Sequence, residues 1–278
     1  MKLYKAKNCI IIERESKHYL LGNENWDQFL NDDDLLEKMK QITQLRKPDE
    51  DVAHIMDSEL EAPIRSQELW ASGVTYLRSK VGRQEESSAA GGGDFYAHVY
   101  EAERPELFFK ATFPRIVGPG GKVRIRKDSS WNVPEPELTL VNSSSGKILG
   151  YTIGNDMSSR SLEGENPLYL PQAKTYDGCA AIGPCIYVSE VPLPGETVIH
   201  LEVIRKDGVV FEGSVDLRQM KRKPENLVSY LYRECTFQHG SFLMTGTGIV
   251  PPNDFTLQSG DEIRITIVPI GTLINMVE

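Results

Sequence analysis

From about residue 65 onward the chain is a succession of short apolar runs separated by clusters of glycine, proline and serine: LWASGVTY, LFFKATF, KVRIRK, ELTLVN, ILGYTIG, AAIGPCIYV, TVIHLEVIR, GVVFEGSV and DEIRITIV. Each run has the length and the β-branched or aromatic content of a strand, and the punctuation between them leaves little room for long helices. At this density the runs predict an antiparallel or mixed β architecture that closes on itself. One helix interrupts it. In PENLVSYLYREC, residues 224 to 235, a proline opens the segment and Leu227, Tyr230 and Leu231 share a face.

The first 62 residues read differently. Residues 1 to about 21 alternate apolar and polar side chains around charged turns, as a short antiparallel strand pair does. Trp26, Phe29, Leu30, Leu35, Leu36, Met39 and Ile42 then recur at helical spacing, with Asp32 to Asp34 as a helix start favoured by the positive N-terminal end. Residues 44 to 62 are polar and lead to Pro63, which predicts a linker there. The chain is therefore expected to hold a small N-terminal α+β domain over 1–62 and a β-rich domain over 63–278, an α+β protein overall.

Composition excludes several classes of function. With 278 residues, 40% of them hydrophobic, the chain can bury a large core and is not a disordered or fibrous one. A formal charge of -9 repels a phosphate backbone, so no nucleic-acid or anionic membrane partner is expected. The N-terminal apolar run is only four residues long, and no segment approaches the roughly 18 apolar residues of a membrane span. Cys9, Cys179, Cys185 and Cys235 form no CxxC pair. Free thiols and a cytoplasmic location are the expectation.

Chemistry concentrates in NVPEPELTLV. Glu135 and Glu137 lie two apart where a strand begins, so both carboxylates project from one face. Adjacent anions repel, and either one takes up a proton or a cation sits between them; oxygen ligands alone select hard ions such as Mg²⁺, Mn²⁺ or Ca²⁺. An ExE pair also occurs on solvated strand edges. Pro134 and Pro136, however, cost ladder hydrogen bonds and restrict the backbone around Glu135, as befits a position fixed for a purpose. Some twenty residues on, ILGYTIGNDMSSR ends an apolar run at Asp156, which either completes a three-acid site or caps the helix that MSSRSLE begins. Lys174 follows, flanked by Gln172 and Asp177. It is a surface lysine on base rates, and beside a metal an acid, a base or a clamp on an anionic substrate.

Other motifs carry less. No GxSxG elbow is present, and His18, His54, His98, His200 and His239 show no metal-ligand spacing. KVRIRKDSS is basic, but without interleaved aromatics it reads as a solvated strand face. SSAAGGGDFY, residues 87–96, lacks the phosphate-loop pattern; it reads as a flexible loop or as a lid over a nearby site.

Taken together, SSWNVPEPELTLV, GYTIGNDMSSR, the Lys174 segment, GPCIYV and TGTGIVPPNDFTLQSGDEIRITIVPIGTL resemble the fumarylacetoacetate hydrolase superfamily over about residues 65 to 278. The resemblance implies a mixed β roll or barrel with a smaller N-terminal domain, assembled as a homodimer or homotetramer. It implies that Glu135, Glu137 and Asp156 hold Mg²⁺ or a similar ion, which chelates a small 2-oxo acid.

Within the superfamily, RPELFFKAT, WNVPEPEL and ENPLYLPQAKTY are similar to segments of its sugar-acid dehydratase branch. That likeness carries over Glu106 and Lys174 as catalytic residues and Tyr76, Arg160 and Thr247 as substrate contacts. It implies dehydration of a 2-keto-3-deoxy acid (2-keto-3-deoxy-D-arabinonate to 2,5-dioxopentanoate) through a metal-stabilised enolate. Hydrolytic members have a histidine shortly after the tyrosine of the first barrel segment, whereas Tyr76 here is followed by LRSKV and no histidine before His98. An acylpyruvate-type C–C hydrolase, an oxaloacetate decarboxylase and a non-catalytic metal and oxo-acid binding module are the alternatives.

Overall fold

The computed structural model describes residues 1–22, 24–87 and 93–278. Its largest sheet has ten strands. From edge to edge its main path runs Lys17–Gly22, Cys9–Arg14, Lys2–Lys5, Ala180–Tyr187, Ile148–Asp156, Pro136–Asn142, Ser241–Met244, Glu68–Gly73 and Glu106–Ala111, with Ile116–Val117 added beside Ala180–Tyr187. A second sheet has five strands in the order Gly208–Asp216, Val198–Arg205, Glu262–Ile267, Gly271–Val277 and Lys122–Val123.

Alternation along the strands sends side chains to two cores. Ile11, Leu138, Leu140 and Leu243 pack with Ile199, Leu201 and Ile265 of the five-stranded sheet. Their neighbours Ile10, Ile12, Val141, Phe242 and Met244 turn the other way, to Trp26, Phe29, Leu35 and Met39. With both faces covered, every residue of Pro136–Asn142 is buried. Such strands read as continuous apolar runs, and each large side chain buried there contributes about 2 kcal/mol.

The sheets do not close on themselves, in contrast to the closed architecture predicted. At one end the edge is formed by the N-terminal segment. It forms a three-stranded meander, one strand more than predicted, and extends the large sheet through antiparallel pairing of Lys2–Lys5 with Ala180–Tyr187. The predicted N-terminal helix is two helices, Trp26–Leu30 and Leu35–Leu45. Between them Asn31, the C-cap of the first helix, donates to Gln238 O and accepts from Ser144 N. The predicted C-terminal helix is present as Pro224–Leu231. Of the glycine-rich stretch at 87–96, residues 88–92 lie outside those described; one helix ends before them at Ser87 and another begins after them at Gly93. No helix among the described residues is long and apolar enough to cross a membrane, and all four cysteines are free.

Candidate active site

Two central strands build the site by register alone. In the antiparallel pair Pro136–Asn142 and Ile148–Asp156, Glu137 lies opposite Gly154 and Pro136 opposite Asn155. Residues opposed across such a pair share a face, and one step further on the Asp156 amide donates to Glu135 O at 2.9 Å. Glu135, Glu137 and Asp156 therefore point the same way. Pro136 has no N–H for the ladder, and the Glu135 amide is met instead by Asn155 Oδ1 at 3.2 Å. Asp156 ends its strand and meets lysines, so the helix-cap alternative does not hold; the helix that follows is Arg160–Glu165, with Ser159 at its cap.

The three carboxylates each offer an oxygen within 4.8 Å of the others, and all three residues are buried. Around them stand four cations. Lys174 Nζ donates to Glu135 Oε2 at 2.5 Å and to Asp156 Oδ2 at 3.0 Å. Lys110 Nζ lies 2.6 Å from Asp156 Oδ1. Arg160 donates to Glu135 Oε1 at 2.8 Å, and Arg83, 3.9 Å from the same oxygen, pairs with the buried Glu163. Glu163 in turn accepts from Ser158 Oγ at 2.5 Å and lies 3.6 Å from Lys174 Nζ. Ions buried this deeply persist only when paired and hydrogen-bonded.

The environment separates the carboxyls. Burial raises Glu137 well above the ordinary range, the charges of Asp156 and Glu135 add to that, and the Lys174 charge and the Gly246 amide, 2.5 Å from Oε2, oppose it. Asp156 is also pushed up by burial, but Lys110 and Lys174 outweigh that and hold it below the ordinary range. Burial raises Glu106 against the pull of Arg83 and Lys174. Three buried carboxylates with oxygens this close, Glu137 raised and Asp156 lowered, suit a hard divalent cation, which would replace the proton that burial favours on Glu137.

Glycines let the groups approach. A β-carbon on Gly73 would lie 2.0 Å from Glu106 Oε2, so the bare backbone there makes room for that carboxylate. Gly246 has φ +91° and its β-carbon would strike Thr75 Oγ1 at 2.0 Å; only glycine turns its amide onto Glu137 in this way.

Of the residues singled out in the sequence, Glu135, Glu137, Asp156, Arg160 and Thr247 line one small cavity, and Glu106 and Lys174 adjoin it through Gly73 and the carboxylates. Tyr76 is not in its lining; it is buried against Gly248. His98 is exposed on the helix Gly93–Glu101 and is likewise not in the lining. Lys110, Arg83 and Glu163 were missed. A lone Lys or Arg carries no sequence signal of this kind, although FFKATF sits inside one of the segments that carry the resemblance. A roomier cleft of about 470 Å³, bordered by Tyr151, Glu225 and Tyr232, holds no comparable set of acid ligands among the described residues.

Comparison with known proteins agrees with this geometry. Residues 79–278 match the family model described as fumarylacetoacetate (FAA) hydrolase C-terminal. The chain is 48% identical over 226 residues, 81% of its length and 76% of the other, to 2-dehydro-3-deoxy-D-arabinonate dehydratase of Saccharolobus solfataricus. It is also 48% identical over 223 residues, 80% of its length and 76% of the other, to a Haloferax volcanii protein named "Probable 2-keto-3-deoxyxylonate dehydratase". Among solved structures, 2-keto-3-deoxy-D-arabinonate dehydratase complexed with magnesium and 2,5-dioxopentanoate superposes with a TM-score of 0.86 at 39% identity, covering 100% of this chain and 99% of that one.

Proposed function

The chain belongs to the fumarylacetoacetate hydrolase family, and from that premise we propose that it is a metal-dependent hydro-lyase converting 2-keto-3-deoxy-D-arabinonate to 2,5-dioxopentanoate. The observation that carries this reading is the buried triad of Glu135, Glu137 and Asp156 with the Lys174 ammonium bridging two of its members. Relatives at 48% identity named as dehydratases, and a solved neighbour holding magnesium and 2,5-dioxopentanoate, support the same reaction.

Mg²⁺, or Mn²⁺ or Ca²⁺ in its place, fits Glu135, Glu137 and Asp156, and when bound it supplies positive charge beside the oxygens of a 2-oxo acid, which acidifies the neighbouring C–H. The chain's own groups then move protons. Glu106, with its carboxyl raised toward neutrality by burial, takes the C3 proton. Lys174, an ammonium held among carboxylates, delivers a proton to the departing C4 hydroxyl. One C–H and one C–O bond break, water leaves and a C3=C4 double bond forms. Lys174 then takes a proton from C5 and Glu106 returns its proton to C3, which converts the 5-hydroxy enone through an enol to the aldehyde and restores both groups. Arg160 and Thr247 line the cavity and orient the acid.

A 2-keto-3-deoxypentonate keeps only the C4 stereocentre, so pentonates that differ at C2 or C3 converge on one substrate. This accounts for relatives named for both arabinonate and xylonate. The reading extends to a cytoplasmic homo-oligomer, with the free thiols supporting a reducing compartment. The test is a substrate panel with Mg²⁺. Aldehyde should form from 2-keto-3-deoxypentonate without C–C cleavage or CO₂ release; turnover of an acylpyruvate or of oxaloacetate instead would overturn the reading.

A further inference from the structure

Lys110 is fully buried, and neither proton movement nor metal ligation accounts for it. It lies in the strand Glu106–Ala111, which pairs antiparallel with Glu68–Gly73. Leu69 lies opposite Ala111 and Trp70 opposite Phe109, so Lys110 is the extra residue of a β-bulge, with no partner across the strand. Bulges re-aim a side chain at the expense of a ladder position, and they are over-represented next to active sites.

Among the described residues the re-aimed side chain makes three polar contacts and lies over the Tyr176 ring. Its ammonium lies 2.6 Å from Asp156 Oδ1, donates to Met157 O at 3.0 Å, and donates to Lys174 O. The bulge backbone is tied to the same place, since Thr175 Oγ1 donates to Lys110 O at 3.0 Å. One cation thus joins a carboxylate of the triad, the turn just after it, and the end of the helix Leu170–Lys174 that carries the proton donor.

We propose that Lys110 is a positioning residue that fixes Asp156 and Lys174 in one register, so that metal ligand and proton donor keep a constant separation. The inference rests on the function proposed above. It differs from a counter-charge role in sign. Deleting a positive charge beside a cation site would by itself tighten metal binding, whereas releasing a ligand that the charge holds in place weakens it.

Mn²⁺ affinity, measured by titration calorimetry on the substrate-free chain, separates the two. Lys110→Met is expected to weaken Mn²⁺ binding about 10- to 100-fold, the usual effect of losing a partner that orients a ligand. The kcat for 2-keto-3-deoxypentonate should fall by a similar factor, with KM moving less. Lys110→Gln keeps a donor for the carbonyls without the charge, and it takes over the comparison if circular dichroism shows the methionine variant unfolded. Mn²⁺ bound as tightly as in the wild type, or more tightly, overturns the proposal whatever kcat does. A wild-type chain with no Mn²⁺ site overturns the proposed function, and this inference with it.

Discussion

Lys174 Nζ lies 3.0 Å from Asp156 Oδ2, while the other oxygen of the same carboxylate faces Lys110 at 2.6 Å. The proposed metal ligand and the proposed proton donor therefore share an atom-to-atom contact, and their roles are separable by experiment. Lys174→Ala and Glu106→Gln should each lower kcat about 10²- to 10⁴-fold, the range for a positioned acid or base. Both should still bind Mn²⁺, because the three carboxylate ligands remain. Full dehydratase activity in either variant would remove that residue from the proton path.

Removing a ligand has the opposite signature. Glu137→Gln preserves volume and the oxygen facing the Gly246 amide, but it halves the donor capacity and deletes a charge. Mn²⁺ affinity should drop by at least about 10-fold, and activity should recover in part when Mn²⁺ is raised to compensate. A calorimetric titration superimposable on that of the wild type would exclude Glu137 from the metal site.

Gly73→Ala tests the placement of Glu106. The added methyl would sit 2.0 Å from Glu106 Oε2, the far end of a flexible side chain, so the carboxylate moves and the fold survives. The expected result is a native circular dichroism spectrum and melting temperature with kcat reduced about 10- to 100-fold, since small misplacements of a reacting group cost that much. Undiminished kcat would show that Glu106 needs no fixed position.

Much of the site was legible in the chain. The period of two put Glu135 and Glu137 on one face, and the flanking prolines marked the position as special. The end of an apolar run offered Asp156 as a third acid or a helix cap, Lys174 followed as an acid, a base or a clamp, and family likeness added Arg160. Contacts made across long separations were not legible. Arg83 meets Glu163 from a helix eighty residues earlier, and Lys110 reaches Asp156 through a bulge that leaves no trace in FFKATF. Whether Asp156 capped a helix or closed a metal site depended on where its strand ended, and pairing with Glu135, not local propensity, set that end. The strands themselves were found because both faces of the central sheet are covered. Their failure to close was hidden, because strand runs specify neighbours poorly and edges not at all.

Stability should also report the buried acids. Glu137 and Glu106 have carboxyls raised above the ordinary value, and both revert to it on unfolding. Between those values the folded chain binds more protons than the unfolded one, so metal-free protein loses stability as pH rises from the ordinary carboxylate range toward neutrality. Asp156, held low, contributes in the other direction only on acidification below that range. Melting temperature in EDTA should therefore fall as pH rises from the ordinary carboxylate range toward neutrality, and Mg²⁺ should flatten the curve by replacing the protons. A melting temperature in EDTA that climbs across this window would contradict the assignment.

The central claim, that this carboxylate cluster removes water from a 2-keto-3-deoxypentonate, is tested most directly by following ¹³C-labelled substrate by NMR with the purified chain, in Mg²⁺ and in EDTA. With Mg²⁺ present, the expected result is conversion to 2,5-dioxopentanoate with all five carbons retained in one product, and in EDTA an unchanged spectrum. Labelled CO₂, a cleaved fragment, or equal conversion in EDTA would contradict it.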